Sequence, residues 1–317
     1  MKKLLICISV ICLLILPLTA CSETQPENNT DNAPVSIVTT TFPVYDWVKN
    51  ITGSDNGVIY LDGSGTDMHS FEPTAQDIIR LAQADIFICI GGVSDEWVDA
   101  AVSSSGNKNL TVLKLIDITG GLAEESVDGM QTDEHHNDAD TSELDEHIWL
   151  SVRNAKKCVD AITENLCRIN PSDKEVYLKN ADSYINKLTD LDNRFLQLTN
   201  SASNKTLLFA DRFPFRYFTE DYGITYYAAF PGCSAESEAS FETLTFLIEK
   251  TKELQLGYII VLENSDGRLA ATIADETGAE ILTLNSCQSI TEKEISDGKT
   301  YLSVMEENLA ILTEALS

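Results

Sequence analysis

Basic side chains are scarce in this chain of 317 residues: 22 Lys and Arg stand against 50 Asp and Glu, a formal charge of −28 at pH 7. Such a balance repels phosphate backbones and anionic membrane surfaces, so it excludes nucleic-acid binding and favours a cationic ligand. Long apolar runs are missing after the first twenty residues, and no later stretch approaches the roughly 20 residues needed to span a bilayer. Catalytic signatures are missing too: there is no HExxH, GxSxG, Walker A or GxGxxG, which leaves no motif in support of an enzyme. Histidine is rare, at four residues, and no CxxC pair occurs.

What is present begins with an export signal. Lys2 and Lys3 precede an apolar run from Leu4 to Leu16 that ends in small residues before Cys21. Leu18-Thr19-Ala20-Cys21 resembles a bacterial lipobox, in which the cysteine is acylated and becomes the new N-terminus; residues 1–20 are then the signal and 21–34 a lipidated tether. Loss of Lys2 and Lys3 leaves 20 basic against 50 acidic side chains. Cys7 and Cys12 leave with the signal, so the folded part keeps Cys89, Cys158, Cys167, Cys233 and Cys287. Cys158 and Cys167 fall on one helix, roughly 13 Å apart along its axis and too far to bridge. Free, buried thiols are expected, with a Cys233–Cys287 pair left open.

From Val35 short β-rich runs alternate with helical periods: strands over 35–40, 57–61, 85–90 and 110–115, helices near 44–52, 74–83 and 95–102. The continuous apolar run Ile86–Ile90 suits a strand of a parallel sheet buried on both faces. Residues 121–146 hold ten carboxylates, the adjacent His135 and His136, and no Lys or Arg, which predicts a mobile loop. A helix over 151–169 is followed at Pro171 by a second one, reaching about residue 199, which is roughly 28 residues or 42 Å long. The alternation resumes after Ser203, with strands 205–210, 224–229, 257–262 and 280–284 between helices near 212–222, 238–254, 267–277 and 300–316. The predicted fold is α/β: two parallel-sheet (βα)4-type lobes joined by one long rigid helix. Residues 35–150 form the N-terminal lobe with its acidic loop, 151–203 the linking helices and 204–317 the C-terminal lobe.

Ligands of open α/β sheets bind at the carboxyl ends of the strands, so the interlobe crevice is the place to look for chemistry. His69 follows strand 57–61, and His147 follows the acidic loop. Asp211 follows strand 205–210, and Glu263 and Asp266 follow strand 257–262. An Asp at such a turn often only caps a helix. Taken together, two imidazoles and two carboxylates from separate strand ends make a four-donor site for a divalent transition metal.

Five segments carry a family resemblance: Thr40–Asp46, His69–Thr74, Ala84–Phe87, Glu146–Ser151 and Tyr301–Leu309. Over Val35 to Leu316 the chain resembles the zinc- and manganese-binding solute receptors of bacterial ABC importers. The resemblance implies extracytoplasmic capture of Zn2+ between two lobes and delivery to a membrane permease driven by a separate ATPase. It implies lipid anchoring through Cys21 to the outer face of the cell membrane. The chain is expected to act as a monomer. The family's first two histidine ligands fall on His69 and His147, and its acidic ligand on Glu263 or Asp266. Zinc receptors carry a third histidine where this chain reads Leu208-Phe209-Ala210-Asp211-Arg212. Aligned from the strand, Ala210 takes that place beside Asp211; aligned from Tyr217-Phe218, Arg212 does. Asp211 is the expected third donor. Two His with two carboxylates would suit Mn2+ or Fe2+ as well, while the His135–His136 loop resembles the low-affinity collecting loop of the zinc branch and favours Zn2+. Cys233, after strand 224–229, is either a buried thiol or a soft zinc donor reaching the crevice. A surface adhesin of the same type is the other reading.

Overall fold

Short runs rich in β-branched and aromatic residues form two sheets. Strands β1 (Ile37–Thr39), β2 (Val58–Tyr60), β3 (Ile86–Cys89) and β4 (Thr111–Lys114) pair in parallel in the order β2-β1-β3-β4. Strands β5 (Thr206–Phe213), β6 (Thr225–Pro231), β7 (Tyr258–Leu262) and β8 (Glu280–Leu284) repeat that order as β6-β5-β7-β8. This is a computed structural model describing residues 34–317 except 64, 66–67, 132–143 and 235–237. The signal, Cys21, and His135 with His136 lie outside the described residues.

Parallel neighbours cannot be joined by a tight turn, so helices supply most of the crossovers. They are α1 (Phe42–Thr52), α2 (Ala75–Gln83), α3 (Trp97–Ser105), α4 (Ile116–Thr119), α5 (Val152–Ile169), α6 (Lys174–Ser201), α7 (Arg216–Tyr222), α8 (Phe241–Glu253), α9 (Arg268–Thr277), α10 (Glu292–Ser296) and α11 (Tyr301–Ala315). Several begin with a side-chain cap. Thr74 and Asp77 form a reciprocal capping box that starts α2, and Ser151 accepts the Asn154 N–H at the start of α5.

Both faces of each sheet are covered. In β3, Ile86 and Ile88 enter a core that also contains Phe209 and Ile260 of the second sheet, whereas Phe87 and Cys89 turn the other way onto Leu81 and Val98. Leu208, Ile259 and Val261 likewise turn away onto Leu247, Ala270 and Ile273. This period-2 partition explains why the strands read as unbroken apolar runs. Residues 35–317 pack as one compact unit.

Helix α6 has 28 residues, about 42 Å at 1.5 Å per residue. Its buried Tyr177, Tyr184, Leu188, Leu191 and Phe195 keep helical spacing, so one continuous stripe faces the core. Tyr184 reaches Asp46 of α1, and Phe195 packs edge-on to Phe218 of α7. The strut therefore touches elements beside both sheets. Among the described residues no helix is long and apolar enough to cross a membrane, and the five cysteines are free.

Two local features differ from the sequence expectation. Strand β5 does not stop at residue 210 but continues to Phe213 through a register shift against β6 between Phe209 and Arg212. Asp211 thus lies within the strand, and Pro214, which cannot occupy a helix interior, delays α7 to Arg216. The acidic stretch is also tied down on both sides of residues 132–143. Leu122, Val127 and Met130 pack against the main core, Ala123 bridges Leu144, and the Gln131 N–H donates to Ala229 O at 2.9 Å on β6. A few apolar side chains and an available sheet edge outweigh the charge of the segment.

Candidate metal centre

His69 lies in a single 3-10 turn, Met68–Ser70, between β2 and α2. Its Nδ1 is 2.7 Å from Ser94 Oγ. Ser94 belongs to another such turn, Val93–Asp95, reached from β3 through Gly91 and Gly92, both with φ near +90° (90 and 91). A side chain at Gly92 would put Cβ 2.6 Å from Glu146 Oε1, so only glycine lets Glu146 approach here. Glu146 Oε1 accepts the Ser94 N–H at 2.7 Å, and its Oε2 lies 3.9 Å from His69 Nδ1. Burial pushes the Glu146 carboxyl above its ordinary range, against the hydrogen bonds from Ser94.

His147 is fully buried. Asp145 Oδ1 accepts its backbone N–H at 2.8 Å and lies 3.0 Å from its Nδ1. A carboxylate at that nitrogen fixes the proton there and leaves Nε2 as the lone-pair donor. Asp145 is itself placed by Tyr217, whose hydroxyl donates to Asp145 O at 2.7 Å. Burial opposes protonation of His147, but Asp145, Glu146 and Glu124 together outweigh it and raise its pKa.

The two imidazoles meet with Nε2 of His69 3.4 Å from Nε2 of His147. Two Zn–N bonds of about 2.0–2.1 Å at the tetrahedral angle would set their nitrogens about 3.3–3.4 Å apart. Cys233, the second residue after β6, completes the group: its Sγ and one nitrogen of each imidazole all lie within 4.8 Å of one another. Gly232 makes room, since a Cβ there would stand 2.8 Å from Phe213 O and 3.1 Å from His147 Cε1. Cys233 follows β6 much as His69 follows β2, the corresponding outer strand of the other sheet. Burial pushes the Cys233 thiol far up, and the nearby Glu124, Asp145 and Glu146 push it further.

The expected carboxylate donors occupy an adjoining cavity, lined by Asp211, Arg212, Glu263, Asp266 and Ser286. Ser234 lines both cavities. Asp211 accepts the Leu262 N–H at 3.2 Å and the Arg212 N–H at 2.8 Å. Glu263 accepts from Ser286 N at 2.8 Å and Ser286 Oγ at 2.6 Å, and burial raises its pKa with Asp211 adding to the effect. Asp266 is exposed, and the backbone N–H and guanidinium of Arg268 lower its pKa. The structure thus gathers His69 and His147 with Cys233, and gathers Asp211 with Glu263 beside them. The orienting roles of Asp145, Glu146 and Ser94 escaped the sequence reading; the Asp145–His147 spacing was the one local signal of the first.

The family model for the zinc-uptake complex component A, periplasmic (ZnuA) matches residues 37–315. The zinc-binding lipoprotein AdcA of Streptococcus pneumoniae (strain ATCC BAA-255 / R6) is 32% identical over 318 residues, covering 99% of this chain and 61% of AdcA. The chain therefore spans 61% of the length of that relative. The high-affinity zinc uptake system protein ZnuA of Bacillus subtilis (strain 168) is 30% identical over 312 residues, 97% of this chain and 96% of the relative. Among solved structures, the Zn(II)-bound ZnuA-like domain of S. pneumoniae AdcA superposes with a TM-score of 0.72 at 31% identity, covering 89% of this chain and 98% of that domain. With its two sheets, its long helix and nearly its whole described length matched, the chain belongs to the ZnuA family of periplasmic zinc-uptake components.

Proposed function

We propose that this protein captures Zn2+ outside the cytoplasm and delivers it to the permease of an ABC importer, held to the outer face of the membrane by a lipid on Cys21. His69, His147 and Cys233 are the donors of the capture site, with Cys233 in the role that the sequence reading gave to Asp211. The observation that carries the reading is the pair of imidazole nitrogens 3.4 Å apart, both with their opposite ring nitrogens engaged, beside a thiol. Two imidazoles with a thiolate form a soft set that suits zinc, whereas manganese prefers oxygen donors. AdcA and B. subtilis ZnuA are named for zinc binding and zinc uptake, in agreement with that donor set. The His135–His136 segment serves as a weak collecting site.

Elemental analysis and competitive titration of the soluble chain from Ser22, with Zn2+ and Mn2+ offered together, tests the reading. One tightly held zinc per chain, retained against excess manganese, is expected. Preference for manganese would transfer the site to the Asp211–Glu263 cavity, and a chain that holds neither metal would overturn the donor assignment.

A further inference from the structure

A donor set is defined by the groups kept out of it as well as by those within. Among the described residues, His69, His147 and Cys233 are the one group of three or more possible ligands whose donor atoms all lie within 4.8 Å of one another, and no carboxylate joins them. The nearby acids are held elsewhere. Asp145 binds the backbone N–H and the Nδ1 side of His147, away from the Nε2 that meets His69. Glu146 lies behind His69, with Oε1 on the Ser94 N–H at 2.7 Å and Oε2 3.9 Å from His69 Nδ1. In the adjoining cavity, both oxygens of Glu263 accept from Ser286, and those of Asp211 accept the Arg212 and Leu262 N–H groups. Glu124 Oε1 accepts the Cys233 backbone N–H at 3.3 Å and stays outside the group.

Two imidazoles and one thiolate without an oxygen donor make a soft set of three. Zn2+ favours four ligands, so at these three it needs a further one from solvent. Cu+ has the same filled d shell and is complete with three, and a trigonal set of two histidines and one cysteine is a known copper geometry. The spacing of the imidazoles suits it: two metal–nitrogen bonds of about 2.0 Å at the trigonal angle would set the nitrogens about 3.5 Å apart. The observed separation is 3.4 Å. Charge acts in both directions. A thiolate neutralises Cu+ outright, which suits a site where His147 is fully buried. Asp145, Glu146 and Glu124, whose charges are felt at His147, favour the dication instead. The thiolate bond and the donor count therefore carry the case for copper. Access is common to both ions, because His69 and Cys233 line one cavity of about 520 Å3.

Resting on the zinc-capture reading, in which Cys233 is a donor, we propose that the same three side chains bind Cu+ as a second ion, in a three-coordinate site that copper and zinc occupy in competition. No electron moves in this step: the ion enters and stays as Cu+, the sulfur–copper bond replaces the sulfur–hydrogen bond of Cys233, and the proton goes to solvent.

Anaerobic titration of the soluble chain from Ser22 with chelator-held Cu+ tests the proposal, together with X-ray absorption at the copper edge, in the wild type, Cys233→Ser and Cys167→Ser. One Cu+ per chain is expected, bound by one sulfur and two imidazole nitrogens, and its arrival displaces bound zinc. Cys233→Ser is expected to weaken Cu+ binding by about 1000-fold or more, while Cys167→Ser, which removes the other partly exposed thiol among the described residues, stays within about threefold. Tight Cu+ binding that survives in Cys233→Ser, a wild-type copper edge with oxygen ligands or without sulfur, or copper and zinc held together at full occupancy would overturn the proposal. A wild-type chain that binds zinc but not Cu+ overturns the copper inference alone, whereas one that takes up no zinc refutes the capture reading, a separate result.

Discussion

Substituting Cys233 by serine separates a soft site from a hard one. The side chain is half-buried and its backbone N–H is held by Glu124, so Cys233→Ser keeps the local fold while replacing the thiol with a neutral hydroxyl. Four-donor structural zinc sites bind with about 10–16 kcal/mol of apparent free energy, or about 2.5–4 kcal/mol per donor. With the two imidazoles already spaced for zinc, loss of the third donor is expected to lower zinc affinity by about 100- to 1000-fold, at about 1.4 kcal/mol per factor of ten. Manganese gains little from a thiolate, so its affinity is expected to change by less than about tenfold and the zinc-over-manganese preference to collapse. Chelator competition with each metal gives the affinities, and the cobalt-substituted protein gives an independent readout, since a cobalt–thiolate absorption band should vanish in the variant. Zinc affinity within about threefold of wild type, with that band preserved, would refute the idea that Cys233 is a donor.

Asp145→Asn leaves the ring of His147 in place but removes the carboxylate that fixes its tautomer, and zinc affinity should fall by about 10- to 100-fold with little change in the melting temperature of the metal-free protein. Gly232→Ala forces a methyl group against Phe213 O and His147 Cε1; it should cost about 1–3 kcal/mol of stability and weaken zinc binding as well, whereas a variant indistinguishable from wild type in both would mean the two segments are not in contact. Asp46 accepts hydrogen bonds from the Tyr301 N–H and the Tyr184 hydroxyl, and burial raises its pKa from 3.8 to about 6 despite them. Because the folded value is the higher, its stabilising contribution is complete below pH 3.8 and is lost as pH rises through about 6, a change of about 3 kcal/mol. Denaturant unfolding of wild type and Asp46→Asn between about pH 4 and 7 should show their stability difference shifting by about that amount in favour of the variant; a pH-independent difference would count against it.

The sheets, their helices and the strut were legible because each is written in local periodicity. Ile86–Ile90 could only be a strand covered on both faces, and the stripe from Tyr177 to Phe195 could only be a long helix. His69 and His147 were legible from rarity and from their places after β2 and the acidic stretch. The local pattern ends a strand at residue 210 and puts Asp211 just beyond it, but β5 runs to Phe213: the register shift keeps Asp211 within the strand, where its carboxylate accepts the Leu262 N–H of the neighbouring strand. Composition alone also concealed how residues 122–131 are held, because ten carboxylates in the acidic stretch outvote Leu122, Val127 and Met130 in any reading of charge.

The order of elements, the fold class and the two imidazoles of the candidate site were therefore legible in the sequence by itself, through signals confined to a few neighbouring residues. Which third side chain meets those imidazoles was decided only by tertiary structure. Cys233 comes within 4.8 Å of His69 and His147 from 164 and 86 residues away along the chain. That meeting depends on the packing of two sheets, a glycine that lets β6 pass over His147, and a strand that runs three residues beyond its apparent end. None of these has a local signature, since each is a contact between segments that share no periodicity.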